Sequence, residues 1–294
     1  MPIKLDNASK RIGDKWVFRD VSFDVKNGEI FAIFGPNGAG KSNLLKSIDR
    51  GEYVGNASNS VFGRVFSNGF ENAIDRLSRY ESAINKANSP LLLDEPFSGL
   101  DVEAQRSLSE TIKTASARNI PVVFSTPTFA DVLSTADRAA VLADGYIQQI
   151  GNPQELYDEP ANQLVASLIG RNNLIEARRL TSSKTELPEF QTIQGSHRLF
   201  TQKVDLKNLG AIHKNAFLSI RPEQISLSFG ASFPEDNLLK AIITRIDFEG
   251  ATTIVSLDCE GLKLDALVMR LVGLNVGDEC MVGLPPDRIR VLAD

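Results

Sequence analysis

The sequence predicts an α/β domain followed by an all-β domain. Three observations carry this reading. Apolar runs at 29–34, 91–94 and 122–125 are joined by helix-periodic segments, the pattern of a parallel sheet with helices on its faces. A glycine-rich stretch, GPNGAGKS (35–42), sits between the first apolar run and the first helix. From residue 171 onward, strand-like segments follow one another between turn signals.

The elements follow in order. IKLDN (3–7) and VSFDV (21–25) alternate apolar and polar residues and predict a small antiparallel sheet. EIFAIF (29–34) is bounded by Asn27-Gly28 and Gly35-Pro36 and predicts a buried strand. SNLLKSI (42–48) predicts a helix. PLLLDEP (90–96) predicts a second buried strand ending at two carboxylates. DVEAQRSLSETIKTASARN (101–119) places Leu108, Ile112 and Ala115 at helical spacing, with Asp101 as its cap. AAVLADGYIQQIG (139–151) predicts a hairpin on Asp144-Gly145. One helix through QELYDEPANQLVASLIG (154–170) is expected to close the first domain, 1–170. In 171–294, AFLSI, LLKAIITRIDF, TTIVSLD, LKLDALV and ECMVGL predict a small OB-like barrel.

Composition narrows the function. The chain has 294 residues, enough for two domains. A net charge of −5 and a pI near 5.3 argue against nucleic acid as the main partner. Cys259 and Cys280 are the only cysteines, which fits a reducing compartment rather than a disulfide framework. The N-terminus is polar and lacks an apolar h-region. No run approaches the ~18 apolar residues of a membrane span, so membrane association is expected only through a partner.

The chemistry lies in two motifs. In G-x-x-x-x-G-K-S, residues Gly35, Pro36, Asn37, Gly38, Ala39, Gly40, Lys41 and Ser42 form a phosphate cradle. Its glycines let backbone N–H groups turn inward, and the helix N-terminus adds a positive dipole end. Lys41 reaches the terminal phosphates and Ser42 ligates Mg²⁺. In the second motif, Asp94 is expected to hold Mg²⁺ and Glu95 to polarise an attacking water. ATP and Mg²⁺ are therefore the expected ligands.

GPNGAGKS, LLLDEPFSGLD and ADRAAVLADGYIQQIGNPQELYDEPAN together resemble the ATP-binding subunit of a bacterial ABC importer. The likeness is to the group serving ferric iron, sulfate, molybdate, polyamines and sugars. SIRPEQISLS (219–228) and VGLPPDRIRVLAD (282–294) resemble the TOBE-like accessory β-domain of that group. The resemblance implies an ABC-type ATPase coupled to import of a small solute, with ferric iron and oxyanions among the group's cargoes. It implies a homodimer or a second ATPase subunit, with Ser98 and Asp101 of SGLD (98–101) as dimer-contact candidates. It also implies a permease partner and a peripheral place on the cytoplasmic face of the plasma membrane.

Several parts of that family's pattern are missing. Fifty-three positions separate Lys41 from Asp94, and the family's interval is longer. A switch glutamine, a helical subdomain and an LSGGQ-type signature normally lie there. The helical subdomain is expected to be largely absent, around 51–90. GRVFSN (63–68) resembles the strand before the switch glutamine, with Ser67 in its place. LSRYE (77–81) is a faint likeness of the signature, with Arg79 and Tyr80 replacing two glycines; SNGFE (67–71) is a second. Arg79 either crowds a facing phosphate or meets it. PVVFSTPTFADVLSTADR (121–138) aligns with the family's switch-histidine segment and carries Pro127 at the histidine. Ile12 stands where the family stacks adenine on an aromatic residue, and Trp16 either substitutes or packs locally. His197 and His213 lack metal-type spacing. Two classes remain: an importer's energy-coupling ATPase with weak activity, or a nucleotide-binding, hydrolysis-deficient relative that has lost coupling.

Overall fold

In the computed structural model, residues 2–57, 63–66, 73–180, 187–201, 212–228, 237–269 and 273–292 are described. The chain divides into two units, Met1–Glu159 and Pro160–Asp294, so the break falls before the expected 170/171 boundary.

In the first unit, IFAIF forms β3 (Ile30–Phe34), with all five residues buried. A strand buried on both faces has no polar alternation, which is why the run reads as continuous apolar sequence. β3 pairs in parallel with β7 (Val122–Thr126) on one side and β8 (Arg138–Ala143) on the other. β6 (Leu91–Asp94) runs parallel to β7 and to β5 (Gly63–Phe66). β9 (Tyr146–Gly151) turns back on β8 through Asp144 and Gly145, both at positive φ, as the Asp-Gly signal predicts. The six strands lie in the order β5-β6-β7-β3-β8-β9. The carboxyl ends of β3, β6 and β7 therefore meet at one edge, where open α/β sheets place their ligands.

A second sheet, β2-β1-β4, is built from β1 (Ile3–Ile12), β2 (Lys15–Val25) and β4 (Val54–Ala57). With α1 (Lys41–Arg50) it covers one face of the central sheet. Phe31, Ile33, Leu92, Val123 and Leu142 pack there against Leu5, Phe18, Phe23, Leu44 and Leu45. The Phe23 and Phe31 rings stack at 5.0 Å. The remaining helices are α2 (Ala73–Lys86), α3 (Val102–Ala117), α4 (Phe129–Thr135) and α5 (Pro153–Asp158). Leu108, Ile112 and Ala115 are buried, as their spacing predicts, and Asp101 caps α3 by accepting from the Ala104 N–H at 2.8 Å. α2 is the one helix described between residues 51 and 90. Its end is held by Arg118, which donates to the carbonyls of Ile84, Asn85 and Ala87.

The single closing helix expected over 154–170 is two helices, α5 and α6 (Gln163–Leu168). Pro160 supplies no N–H and turns its predecessor out of helical geometry. Asn152 opens α5 with a capping box to Glu155, and Asn162 opens α6 by accepting from the Val165 N–H.

After α6 the second unit is all-β. One antiparallel sheet comprises β10 (Asn173–Arg179), β11 (Glu189–Thr192), β12 (Arg198–Phe200), β13 (Asn215–Ile220) and, closing the chain, β19 (Arg290–Leu292). The other comprises β14 (Ser226–Ser228), β15 (Asn237–Phe248), β16 (Thr252–Cys259), β17 (Leu262–Met269) and β18 (Glu279–Leu284). Both bury into a single core: Ile175, Phe190 and Leu218 from the first meet Ile243, Val255, Leu264 and Val282 from the second. Arg221, buried within the SIRPEQ stretch, donates to the Ile169 and Arg171 carbonyls.

Candidate nucleotide site

GPNGAGKS forms the loop between β3 and α1, and each constraint on it has a visible cause. A β-carbon on Gly35 would lie 2.0 Å from the Leu142 carbonyl oxygen, so only glycine fits. Gly40 takes φ +101, and a β-carbon there would lie 2.8 Å from the Val17 carbonyl oxygen. The loop is thus pinned between β8 and β2, with its Pro36, Asn37 and Gly38 exposed at the sheet edge. That concave backbone, with Lys41 opening α1, is a cradle of the kind that accepts phosphate.

Lys41 is 4% exposed, an extreme value for a lysine. Its Nζ donates to the carbonyls of Gly35 at 2.9 Å and Pro36 at 3.0 Å. Glu95 Oε1 lies 3.6 Å away. Burial lowers the Lys41 pKa below the ordinary lysine value, and the charge and hydrogen bond of Glu95 partly oppose this. A desolvated ammonium of this kind is poised for an anion. Ser42 sits half-buried in the first turn of α1.

The second motif stands at the same edge. Asp94 ends β6 and is buried; its Oδ1 accepts from the Ser125 hydroxyl at 2.7 Å. Glu95 follows at φ +45, and its N–H donates to Ser125 Oγ at 3.0 Å. The Tyr80 hydroxyl donates to the Asp94 carbonyl at 2.8 Å. Beyond the turn, Ser98 and Asp101 are exposed, and Arg76 donates to the Ser98 carbonyl. Among the described residues no group of three or more His, Cys, Asp and Glu could hold a metal. The donor set suits Mg²⁺ all the same: Ser42 and Asp94 are hard oxygen donors, and this ion takes most of its shell from phosphate and water.

The segments that depart from the expected pattern have definite places. LSRYE lies within α2, where its backbone N–H groups sit inside a helix rather than at an open terminus. Tyr80 is fully buried, and the Arg79 guanidinium stacks 5.8 Å from its ring centroid. Ser67 and SNGFE fall outside the described residues. Pro127 is exposed after the end of β7. Beside it Thr126 donates its hydroxyl to the buried Asp131, whose pKa burial raises. Trp16 is 45% exposed, with the Arg11 and Arg19 guanidinia 5.1 and 5.4 Å from its ring centroid, so it belongs to no packed core. His197 bonds the Cys259 carbonyl and His213 is exposed.

Comparison with known proteins agrees with this geometry. The ABC transporter family matches residues 18–62, and the TOBE domain matches residues 218–292. The chain thus carries a stretch that matches the ABC transporter family ahead of one that matches the TOBE domain, and the curated relatives below are importer ATP-binding proteins. Among curated relatives, the Fe(3+) ions import ATP-binding protein of Fusobacterium nucleatum is 28% identical, covering 76% of this chain and 74% of the relative. The maltose/maltodextrin import ATP-binding protein of Mannheimia succiniciproducens is 25% identical, covering 99% and 95%. The spermidine/putrescine import ATP-binding protein of Acetivibrio thermocellus is 26% identical, covering 99% and 96%.

Proposed function

We propose that the chain binds Mg²⁺-ATP on residues 35–42 and hydrolyses it slowly as the ATPase subunit of an importer for a small solute, ferric iron or an oxyanion among the candidates. The observation that carries this reading is the buried Lys41 ammonium, held in the glycine loop and facing Glu95. In it Ser42 and Asp94 hold Mg²⁺, which neutralises phosphate charge when bound. Glu95 accepts the proton of the attacking water. The unit pairs with a second copy through Ser98 and Asp101, and a permease tethers it to the cytoplasmic face of the membrane. Among the described residues no helix is long and apolar enough to cross a membrane.

Three observations favour a second reading, a nucleotide-binding relative that has lost coupling. Pro127 carries neither a side-chain donor nor an N–H at the position aligned with the switch histidine. The described chain between residues 51 and 90 supplies one helix, α2, where the family builds a subdomain. The alignment with the maltose relative runs over 365 positions although this chain has 294 residues, so that relative holds residues with no counterpart here. General-base catalysis is worth ~10²–10⁴-fold. Each lost donor to transition-state charge costs ~10²–10³-fold, so losing two outweighs keeping the base. Steady-state ATPase measured alone and with the permease decides: slow turnover sensitive to Glu95→Gln supports the first reading. Turnover equal to an intact homologue's refutes the slow-hydrolysis argument, and binding without any turnover selects the second reading.

A further inference from the structure

Glu95 holds an uncommon conformation, and two buried side chains grip the peptide that precedes it. The Asp94 carbonyl and the Glu95 N–H are the two polar ends of one peptide group. The first accepts from the Tyr80 hydroxyl at 2.8 Å, and the second donates to Ser125 Oγ at 3.0 Å. Tyr80 comes from α2 and Ser125 from β7, and both are fully buried. Ser125 also donates to Asp94 Oδ1 at 2.7 Å, so one hydroxyl fixes both the peptide and the buried carboxylate. Glu95 itself sits at φ +45, a left-handed conformation that side chains with a β-carbon adopt at a cost. Such strain persists where the surroundings over-determine the backbone. Rotating this peptide would strip both of its polar atoms of partners in a dry interior.

We propose that Tyr80 and Ser125 are positioning residues that clamp the Asp94–Glu95 peptide from opposite ends and so aim the Glu95 carboxylate at the phosphate cradle. The inference rests on reading Glu95 as the base of a slow ATPase. It also assigns α2 a purpose: in place of a signature, the helix delivers a hydroxyl to the back of the catalytic strand. Next to it Arg76 donates to the Ser98 carbonyl, so α2 touches the loop after Glu95 at a second point. Ser98 N–H in turn bonds the Glu95 carbonyl at 3.2 Å, which closes the turn. Without a histidine at 127, the direction of the Glu95 carboxylate depends on this backbone clamp.

The test uses the full chain and the variants Tyr80→Phe, Ser125→Ala, Ser125→Thr and the Tyr80→Phe/Ser125→Ala double. Tyr80→Phe keeps the ring and its packing and removes only the hydroxyl. It should lower kcat about tenfold while the nucleotide Kd stays within about twofold, because orientation acts on the transition state and not on binding. Ser125→Ala should lower kcat further and raise the Mg²⁺ concentration needed for half-maximal rate; Ser125→Thr should restore most of both. In a Glu95→Gln background, Tyr80→Phe should change residual turnover by less than about twofold. Thermal unfolding supplies a readout that needs no activity. The double variant should lose clearly less Tm than the two single losses added, because releasing one end of the peptide already frees the other. Additive Tm losses overturn the clamp, and so does a Tyr80→Phe variant whose kcat and Kd change together. A parent with no turnover refutes the hydrolytic reading alone, and the Tm cycle then decides the clamp by itself.

Discussion

Replacing Lys41 with methionine separates nucleotide affinity from stability, because the two respond to different parts of the same buried charge. The side chain keeps an unbranched apolar stem of the same reach to Cε and loses the ammonium. That ammonium is almost fully desolvated, and its compensation in the free protein is two loop carbonyls and Glu95 at 3.6 Å. Removing it relieves a burial penalty and forfeits two charge-assisted hydrogen bonds worth about 1.5–3 kcal/mol each, effects of opposite sign, so unfolding free energy should stay within about 2 kcal/mol of the parent. Affinity has no such offset. At an effective dielectric near 20, unit charges about 3 Å apart attract by ~5 kcal/mol. Part of that is already realised toward Glu95 before nucleotide arrives. The surplus lost should be ~2–4 kcal/mol, or about 30- to 1000-fold in Kd. Calorimetric titration with Mg²⁺-ATP and urea unfolding of the same preparations measure both quantities. A variant that unfolds like the parent and binds within about threefold of it would refute the reasoning, since the cradle would then not need its cation.

The pH dependence of binding follows from the same residue. Burial lowers the Lys41 pKa in the free protein from its ordinary value of 10.5, and bound phosphate favours the protonated form, so affinity should hold below the lowered pKa and then fall by up to about tenfold per pH unit above it. The stability of the nucleotide-free protein should move the other way through that window, because the unfolded chain keeps the proton that the folded one sheds; urea titrations at stepped pH check this sign. Gly35→Ala should damage folding, at a cost above about 3 kcal/mol, because the new methyl would lie 2.0 Å from the Leu142 carbonyl oxygen. Gly38→Ala meets nothing within 4 Å and should cost only the strain of φ +85, about 1 kcal/mol, so thermal unfolding of the pair tests the packing account. Cys259 should resist alkylation at pH 8 in the folded protein, because burial pushes its thiol up to about 12, and should react once urea unfolds the chain; mass spectrometry of the labelled peptide reads this.

Much of the first unit was legible because its signals are contiguous. IFAIF and LLLD carry strand, burial and parallel pairing in four or five residues, and the glycine loop is continuous between a strand and a helix. Asp144-Gly145 and Asp101 were readable for the same reason, since a turn or a cap depends on its immediate neighbours. What stayed hidden depends on distant partners. Tyr80 reads in sequence as a residue crowding a glycine motif, and only the packing of α2 behind β6 shows its hydroxyl bonded to Asp94. Ser125 is one small residue in an apolar strand, and nothing local marks it as the partner of two atoms 30 and 31 positions away. The strands β10, β11 and β12 carry a weak sequence signal because segments such as NLIEARR and RLF are short and charged. The break between α5 and α6 is readable in the sequence, and Pro160 and the Asn162 cap are its signals. Helical apolar spacing on either side of the proline masked it.

Binding and turnover draw on different geometry here, and this decides how the site should be judged. The cradle is local: one loop, one helix terminus and one lysine, all within residues 35–42 and pinned by the carbonyls of Val17 and Leu142. Any chain that keeps those contacts keeps a place for phosphate. Turnover needs charge met as it develops, from directions that a single loop cannot supply. On one side stands Glu95, held by Tyr80 and Ser125. On another stands Pro127, which has nothing to donate. In the proposed dimer the third direction belongs to a facing subunit, and here LSRYE is wound into α2 with Tyr80 buried. On the proposed reading, loss of the second and third directions leaves the ground state untouched, because the cradle alone is expected to hold ATP. It raises only the barrier. On the proposed reading, such a site should bind nucleotide with ordinary affinity and release it mostly unhydrolysed, so affinity measured alone would rank this chain with efficient ATPases while its turnover would not.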